Sequence, residues 1–169
     1  MCIRDSRPTD TIIREGDSVV IDVGGLVDGY HSDMTRTYLI GQVAPELSEI
    51  HDLVLCAQRE GVLAVQPGVS GSSIDEVCRS IIAEAGYGPD FIHGTGHGVG
   101  LQIHEMPWVR SDFMEPLQCG EVVTVEPGVY RVGVGGVRIE DLILVTATSS
   151  QTLTLSQKES LCLPSRRMI

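Results

Sequence analysis

The sequence predicts an α+β fold, on three observations. Short β-rich runs pair near both ends of the chain, two stretches of helical periodicity lie between them, and the first strand pair is echoed by the second. The 169 residues suffice for one domain with a hydrophobic core. Aromatic residues make up only 4% of the chain, so that core has to be built mainly from Val, Ile, Leu and Ala.

Ser18 to Val23 reads as a strand, a β-branched run through Val19, Val20 and Ile21. Gly24, Gly25 and the Asp28-Gly29 pair mark a turn, and Thr35 to Ile40 reads as the returning strand. Pro45 to Gln66 is expected to be a helix, with Leu47, Ile50, Val54, Ala57, Gly61 and Ala64 on one face and Pro67-Gly68 as its stop. Ser73 to Ala85 is expected to be a second helix, with a capping box between Ser73 and Glu76 and a stripe of Ile74, Val77, Cys78, Ile81, Ile82 and Ala85. His93 to Gly100 carries glycine at 94, 96, 98 and 100, and at about 1 kcal/mol each these exclude a helix. An extended segment that lets other groups approach its backbone fits them better. Glu121 to Glu126 and Gly136 to Thr146 read as another pair of strands.

The echo relates Gly16-Asp17-Ser18-Val19-Val20-Ile21-Asp22-Val23-Gly24 to Gly120-Glu121-Val122-Val123-Thr124-Val125-Glu126-Pro127-Gly128. Each copy runs from Gly and an acid through a β-rich stretch to a carboxylate and a second Gly. Each is followed by a strand with one more carboxylate, Asp33 or Glu140. A repeat of this kind implies two related halves whose acidic strands face each other.

Several classes of function are disfavoured. A net charge of -11 argues against nucleic acid as partner, since phosphate binding needs clustered Lys and Arg. Five widely spaced cysteines, Cys2, Cys56, Cys78, Cys119 and Cys162, form no CxxC pair and support neither a structural zinc nor a disulfide framework. There is no apolar run of signal-peptide type or of the ~18 residues a membrane span needs, so the expectation is a cytoplasmic protein with no membrane partner. HExxH, GxGxxG, P-loop and GxSxG patterns are absent.

Asp22 and Glu126 each end an apolar strand run, Val-Val-Ile-Asp and Val-Thr-Val-Glu, where a carboxylate is expected to be half-buried. A buried carboxylate needs a cation or strong donors. With Asp33 and Glu140, four such groups converging would repel one another, and a pair of divalent ions resolves the conflict. His93, His97 and His104, three histidines in a glycine-threaded segment, complete a candidate site.

These motifs resemble those of the pita-bread metallopeptidases, in the Xaa-Pro aminopeptidase and prolidase branch. The likeness rests on Asp22 with Asp33 in Asp-Gly-Tyr-His-Ser-Asp-Met-Thr-Arg-Thr, and on Gly-Thr-Gly-His97-Gly-Val-Gly-Leu-Gln-Ile-His104-Glu-Met-Pro. It rests further on Thr-Val-Glu126-Pro-Gly and Gly-Val-Arg138-Ile-Glu140-Asp, and it covers most of the chain. The resemblance implies a pita-bread fold, a curved antiparallel sheet with helices on its outer face and a pseudo-twofold repeat. It implies Asp22, Asp33, His97, Glu126 and Glu140 as metal ligands, with Asp33 and Glu140 bridging two divalent ions, manganese first and cobalt or zinc next. It implies hydrolysis of the bond between an N-terminal residue and proline by a hydroxide that the dinuclear centre activates. His93 and His104 are then substrate-side groups, Glu126 accepts a proton from the water, and Arg138 neutralises the acidic cluster from behind the ligands. A proline-containing peptide is the implied substrate, and a homodimer is among the implied assemblies. Methionine aminopeptidase and a non-catalytic binding module are the alternatives.

The family's preceding strands and helix have no counterpart here. Residues 7–159 read as a partial catalytic domain, 1–6 as a leader foreign to the family and 160–169 as a tail that drifts from its pattern. The chain as given is expected to be poorly active.

Overall fold

The computed structural model describes residues 10–159 and, for the backbone, 161–163. The expected foreign leader over 1–6 lies outside these residues, as does the expected tail over 160–169 apart from that short backbone stretch.

Strands β1 (Ser18–Val27) and β2 (Tyr30–Ile40) form one antiparallel hairpin, in register from Ser18 opposite Leu39 to Val27 opposite Tyr30. The turn is Asp28-Gly29 alone, with φ of 50° and 86°, the left-handed pair that a two-residue hairpin loop demands. Gly24 and Gly25 lie inside β1, not in a turn as the sequence suggested. A Cβ at Gly24 would come 2.7 Å from the Ser32 carbonyl oxygen, so this glycine serves a close cross-strand approach.

Helix α1 (Pro45–Ala64) buries Leu47, Ile50, Val54, Ala57 and Gly61, the expected face. Helix α2 (Gly71–Glu84) buries Ile74, Cys78 and Ile82, but its start differs from expectation. Ser70 is the cap, its Oγ accepting from Ser73 N at 3.2 Å, and the Ser73–Glu76 box is not used. The helix begins a turn earlier because Gly71 allows it to abut the strand opposite; a Cβ there would lie 2.0 Å from Trp108 O.

The remaining strands are β3 (Gly96–Gly98), β4 (Glu105–Val109), β5 (Val122–Val125), β6 (Gly128–Arg131), β7 (Gly135–Arg138), β8 (Asp141–Val145), β9 (Ser150–Thr152) and β10 (Leu161–Leu163). Five of them form a sheet in the order β4-β3-β5-β8-β9, β6 pairs with β7, and β10 runs parallel beside β2. The single strand expected over 136–146 is therefore two. Val125 pairs with Asp141 and Gly128 with Arg138, one register across a gap that holds Glu126, Pro127, Ile139 and Glu140. Pro127 has no N–H to give to the ladder, so the hairpin opens there and releases both acids from regular pairing. In the first hairpin Asp22 faces Thr35 and Asp33 faces Gly24. The two halves thus share a chain pattern but carry their second acid in different registers.

The core lies between the two helices and the five-stranded sheet, where Ile50, Val54, Ile74, Val123, Val125 and Ile143 are fully buried. The hairpin β1–β2 joins this body along β2. Thr37 Oγ1 donates to Arg138 O (2.8 Å), Arg138 N donates to Thr37 Oγ1 (3.0 Å), and Glu140 N donates to Thr35 O (3.1 Å). β1 pairs with β2 alone among the described residues, and Ile21, Val23, Leu26 and Val27 along it are exposed.

Candidate metal centre

Three strands and one hairpin gap bring the five expected ligands to one place. Asp22 comes from β1, Asp33 from β2, His97 from β3, and Glu126 and Glu140 from the open gap of the second hairpin. Ligand atoms lie within 4.8 Å of one another in three overlapping sets: Asp22 with Asp33 and Glu140; His97 with Glu126 and Glu140; Asp33 with His97 and His104. Asp33, His97, Glu126 and Glu140 are buried, whereas the Asp22 side chain is 41% exposed. The half-buried Asp22 of the sequence reading is thus the open member of the set, because it stands on an edge strand.

His97 is held by its backbone and by one ring nitrogen. A Cβ at Gly96 would lie 2.0 Å from Thr124 O, so only glycine lets β3 come this close to β5. His97 N donates to Thr124 Oγ1 at 3.0 Å, and its Nδ1 donates to the Gly98 carbonyl at 3.0 Å. That bond turns Nε2 toward the acids, 3.1 Å from Glu126 Oε1 and 3.7 Å from Asp33 Oδ2.

Glu140 carries the clearest sign of a cation. Its Oε2 accepts from Thr35 Oγ1 at 2.6 Å, while its buried Oε1 has no hydrogen-bond partner among the described residues. A buried carboxylate oxygen left without a donor is costly. A divalent ion beside it supplies what no side chain does, so the residues present fit the group.

Arg138 backs the cluster. It donates from NH2 to Asp22 Oδ2 (2.5 Å), from NH1 to Tyr130 OH (2.9 Å) and from Nε to Thr35 Oγ1 (3.1 Å), and Nε stands 3.9 Å from Glu126 Oε2. The two expected substrate-side histidines are placed differently. His104 packs edge-on against His97 with ring centres 4.3 Å apart. His93 sits farther back, its Nδ1 donating to Gly94 O (2.8 Å) and its Nε2 accepting from Tyr130 OH (3.0 Å).

Thr35, Thr124 and Tyr130 were missed in the sequence. Thr35 had a signal, since it lies two residues after Asp33 and shares its strand face. Tyr130 and Thr124 gave none beyond proximity in sequence to Glu126.

Burial, then the charges of Asp22 and Glu126, push Asp33 up to about 6, with His97 pulling the other way. Burial, then Glu126 and Asp33, hold Glu140 well above the ordinary carboxyl range. Glu126 is also buried, but the hydrogen bond and charge of His97, with His93 and Arg138, outweigh that burial and keep it low. These shifts give a pH dependence. An unfolded Asp33 titrates near 3.8 and the folded one near 6, so between these values the folded chain holds a proton the unfolded chain has released. The associated stability is full below about 4 and is lost as pH rises through about 6, on the order of 3 kcal/mol for Asp33 at ~1.4 kcal/mol per unit. The melting temperature of the chelator-treated chain is expected to fall over this range. Asp33→Asn should remove that part of the fall, and manganese should reverse it. A chelator-treated melting temperature equally flat in both forms would contradict the repulsion.

Known proteins resemble this chain over most of its length. The profile of metallopeptidase family M24 matches residues 2–147. The chain is 46% identical over 151 residues to an Xaa-Pro dipeptidase of Pyrococcus horikoshii, covering 89% of this chain and 43% of that one. Among solved structures it is similar to an Xaa-Pro dipeptidase from Bacillus anthracis (TM-score 0.90, 44% identity, 92% of this chain and 44% of the other). It is also similar to an X-Pro aminopeptidase from Thermotoga maritima (TM-score 0.90, 35% identity, 95% of this chain and 46% of the other). The chain spans less than half the length of each of these proteins. The expected pita-bread architecture, antiparallel sheets with two helices, is the one these structures share with it.

Proposed function

The chain belongs to metallopeptidase family M24, and from that premise we propose that it supplies the metal-binding part of an enzyme cleaving the peptide bond between an N-terminal residue and proline. The observation that carries this reading is the convergence of Asp22, Asp33, His97, Glu126 and Glu140, with one Glu140 oxygen buried and unpaired. The prolidase and aminopeptidase names of the similar proteins support the proline-directed form over a methionine aminopeptidase. Retention of all five ligands speaks against a non-catalytic module.

In this reading residues 7–159 would hold two divalent ions through Asp22, Asp33, His97, Glu126 and Glu140. Four carboxylates and one imidazole make a hard, oxygen-rich donor set that favours manganese, with cobalt or zinc as substitutes. The ions supply Lewis acidity, making a water nucleophilic near neutral pH and drawing charge from the scissile carbonyl. The protein's own groups do the rest. Glu126, held low by His97, His93 and Arg138, would be the carboxylate that accepts the water's proton. His104, beside His97 and Asp33, faces the peptide, and His93 is oriented by Tyr130 toward the same cluster. Arg138 fixes Asp22 and offsets its charge. The reading includes a proline-containing peptide as substrate, a cytoplasmic setting and pairing as a homodimer. No helix among the described residues is long and apolar enough to cross a membrane.

Isothermal titration of the chelator-treated chain with manganese tests the centre, and two ions per chain are expected. Xaa-Pro and methionyl peptides, offered to this chain and to a version extended to the length of its relatives, test the substrate. Absence of divalent-ion binding, or faster release of methionine than of residues before proline, would refute the proposal.

A further inference from the structure

The expected ligands His97 on β3 and Glu126 just after β5 lie in or against a glycine-threaded segment, and such backbone is entropically costly to order. Helix α2 supplies what fixes it. Asp75 is fully buried on that helix. Its Oδ1 accepts from Thr95 N (3.0 Å) and Thr95 Oγ1 (2.9 Å), and the same oxygen accepts from Arg79 NH2 (3.0 Å) while Oδ2 accepts from Arg79 Nε (2.8 Å). Arg79 in turn donates to the carbonyls of Phe91 (3.1 Å) and His93 (2.8 Å) and lies over the Phe91 ring.

Thr95 passes this anchorage on. Its carbonyl accepts from Glu126 N at 2.7 Å, and the chain continues through Gly96 into His97. His97 N donates to Thr124 Oγ1, which donates to Glu126 Oε1 at 3.1 Å. A single carboxylate on α2 is thus two hydrogen bonds from the backbone of Glu126 and two residues from His97. Burying a charge is costly unless it is paired, and Arg79 provides the counter-charge. The remaining acceptor capacity goes to Thr95 and nowhere else among the described residues.

We propose that Asp75 is a positioning residue for the metal centre, setting His97 and Glu126 through Thr95, with Arg79 as its ion-pair partner. The inference rests on the reading of the cluster as a metal centre. Asp75 touches neither metal nor substrate, and its effect is read in how tightly the site closes on an ion.

The test uses the 169-residue chain and manganese. Asp75→Ala is expected to weaken manganese binding about 10–100-fold, the range for losing the partner of a ligand. Asp75→Asn keeps an oxygen for Thr95 and should recover affinity to within about threefold of the unchanged chain. Circular dichroism checks that each variant is folded. If Asp75→Ala fails to fold, Thr95→Val, which loses the hydroxyl bond to Asp75 but keeps the backbone N–H that donates to it, is expected to weaken binding several-fold and to shift the His97 ring resonances. Three results overturn the inference: wild-type affinity in Asp75→Ala, wild-type affinity with unmoved His97 signals in Thr95→Val, or an equal loss in Asp75→Asn and Asp75→Ala. If the unchanged chain binds no divalent ion, the metal-centre reading itself falls, and this inference with it.

Discussion

On the proposed function, replacing Asp33 or Glu140 with alanine should cost the centre at least one of two bound ions and lower Xaa-Pro cleavage by the extended version about a thousandfold or more. Each of these acids belongs to two of the three sets of close ligand atoms, so its loss removes a donor from more than one position. Stability should move the other way. Both carboxyls are held high by burial and by their acidic neighbours, so at neutral pH the metal-free fold bears their repulsion. The chelator-treated variants should therefore melt no lower than the unchanged chain, while manganese should stabilise them far less. Metal content after dialysis, melting curves with and without chelator, and turnover by a version extended to the relatives' length check the three parts. Two ions retained with near-normal turnover in either variant would show the assignment of these acids to be wrong.

Much of the fold was legible because local signals agreed with the tertiary outcome. The spacing of Leu47, Ile50, Val54, Ala57 and Gly61 on α1 survived in the structure because that face meets the sheet core. Asp28-Gly29 marked the hairpin because only such a pair takes two left-handed conformations cheaply. What misled was glycine with another purpose. Gly24 and Gly25 read as a turn but lie within β1, where Gly24 serves close strand approach, and Gly71 starts α2 early because β4 lies against it. The break of the second hairpin at Glu126-Pro127 had a signal in the proline itself, yet the run from Gly136 to Thr146 has no mark of interruption. Its division is imposed from across the sheet.

The site divides along the same line. Asp22, Asp33, His97, Glu126 and Glu140, which the fold gathers, could be picked out as candidate ligands because each stands in a motif with its own local pattern. The groups that hold them could not. Thr35 reaches Glu140, Asp75 reaches Thr95, and Arg36 reaches Asp141 across sequence separations that only the fold closes. An isolated Thr, Asp or Arg gives no sign of which backbone it will meet. Ligand chemistry is written locally, and ligand position is written in long-range hydrogen bonds.

The strongest structural case of that kind is Arg36, and Arg36→Met should destabilise the chain by about 3–5 kcal/mol, the usual cost of removing one member of a buried ion pair. Arg36 is buried, and each of its nitrogens donates. Nε goes to Gln157 O (3.0 Å), NH1 to the carbonyls of Thr35 (2.8 Å) and Glu140 (2.5 Å), and NH2 to Asp141 Oδ1 (2.8 Å) and Ser156 O (2.8 Å). Asp141, equally buried, accepts at Oδ2 from Gln58 on α1 (2.9 Å) and from Lys158 (2.6 Å). One guanidinium thus ties β2, the start of β8 and the 156–158 segment together behind Glu140, and a methionine in its place satisfies none of those carbonyls. For a domain of this size the loss corresponds to roughly 10 °C in melting temperature. The same change at Arg59, whose pair with Glu159 stands half-exposed, should leave the melting temperature unmoved, since solvent screens that pair and the carbonyls do not depend on it. Thermal unfolding of the two variants side by side decides the matter. Equal, small shifts in both would mean that the buried network contributes no more than a surface pair, and that the bonds of Thr35 and Thr37 to Arg138 and Glu140 suffice to hold β2 in place.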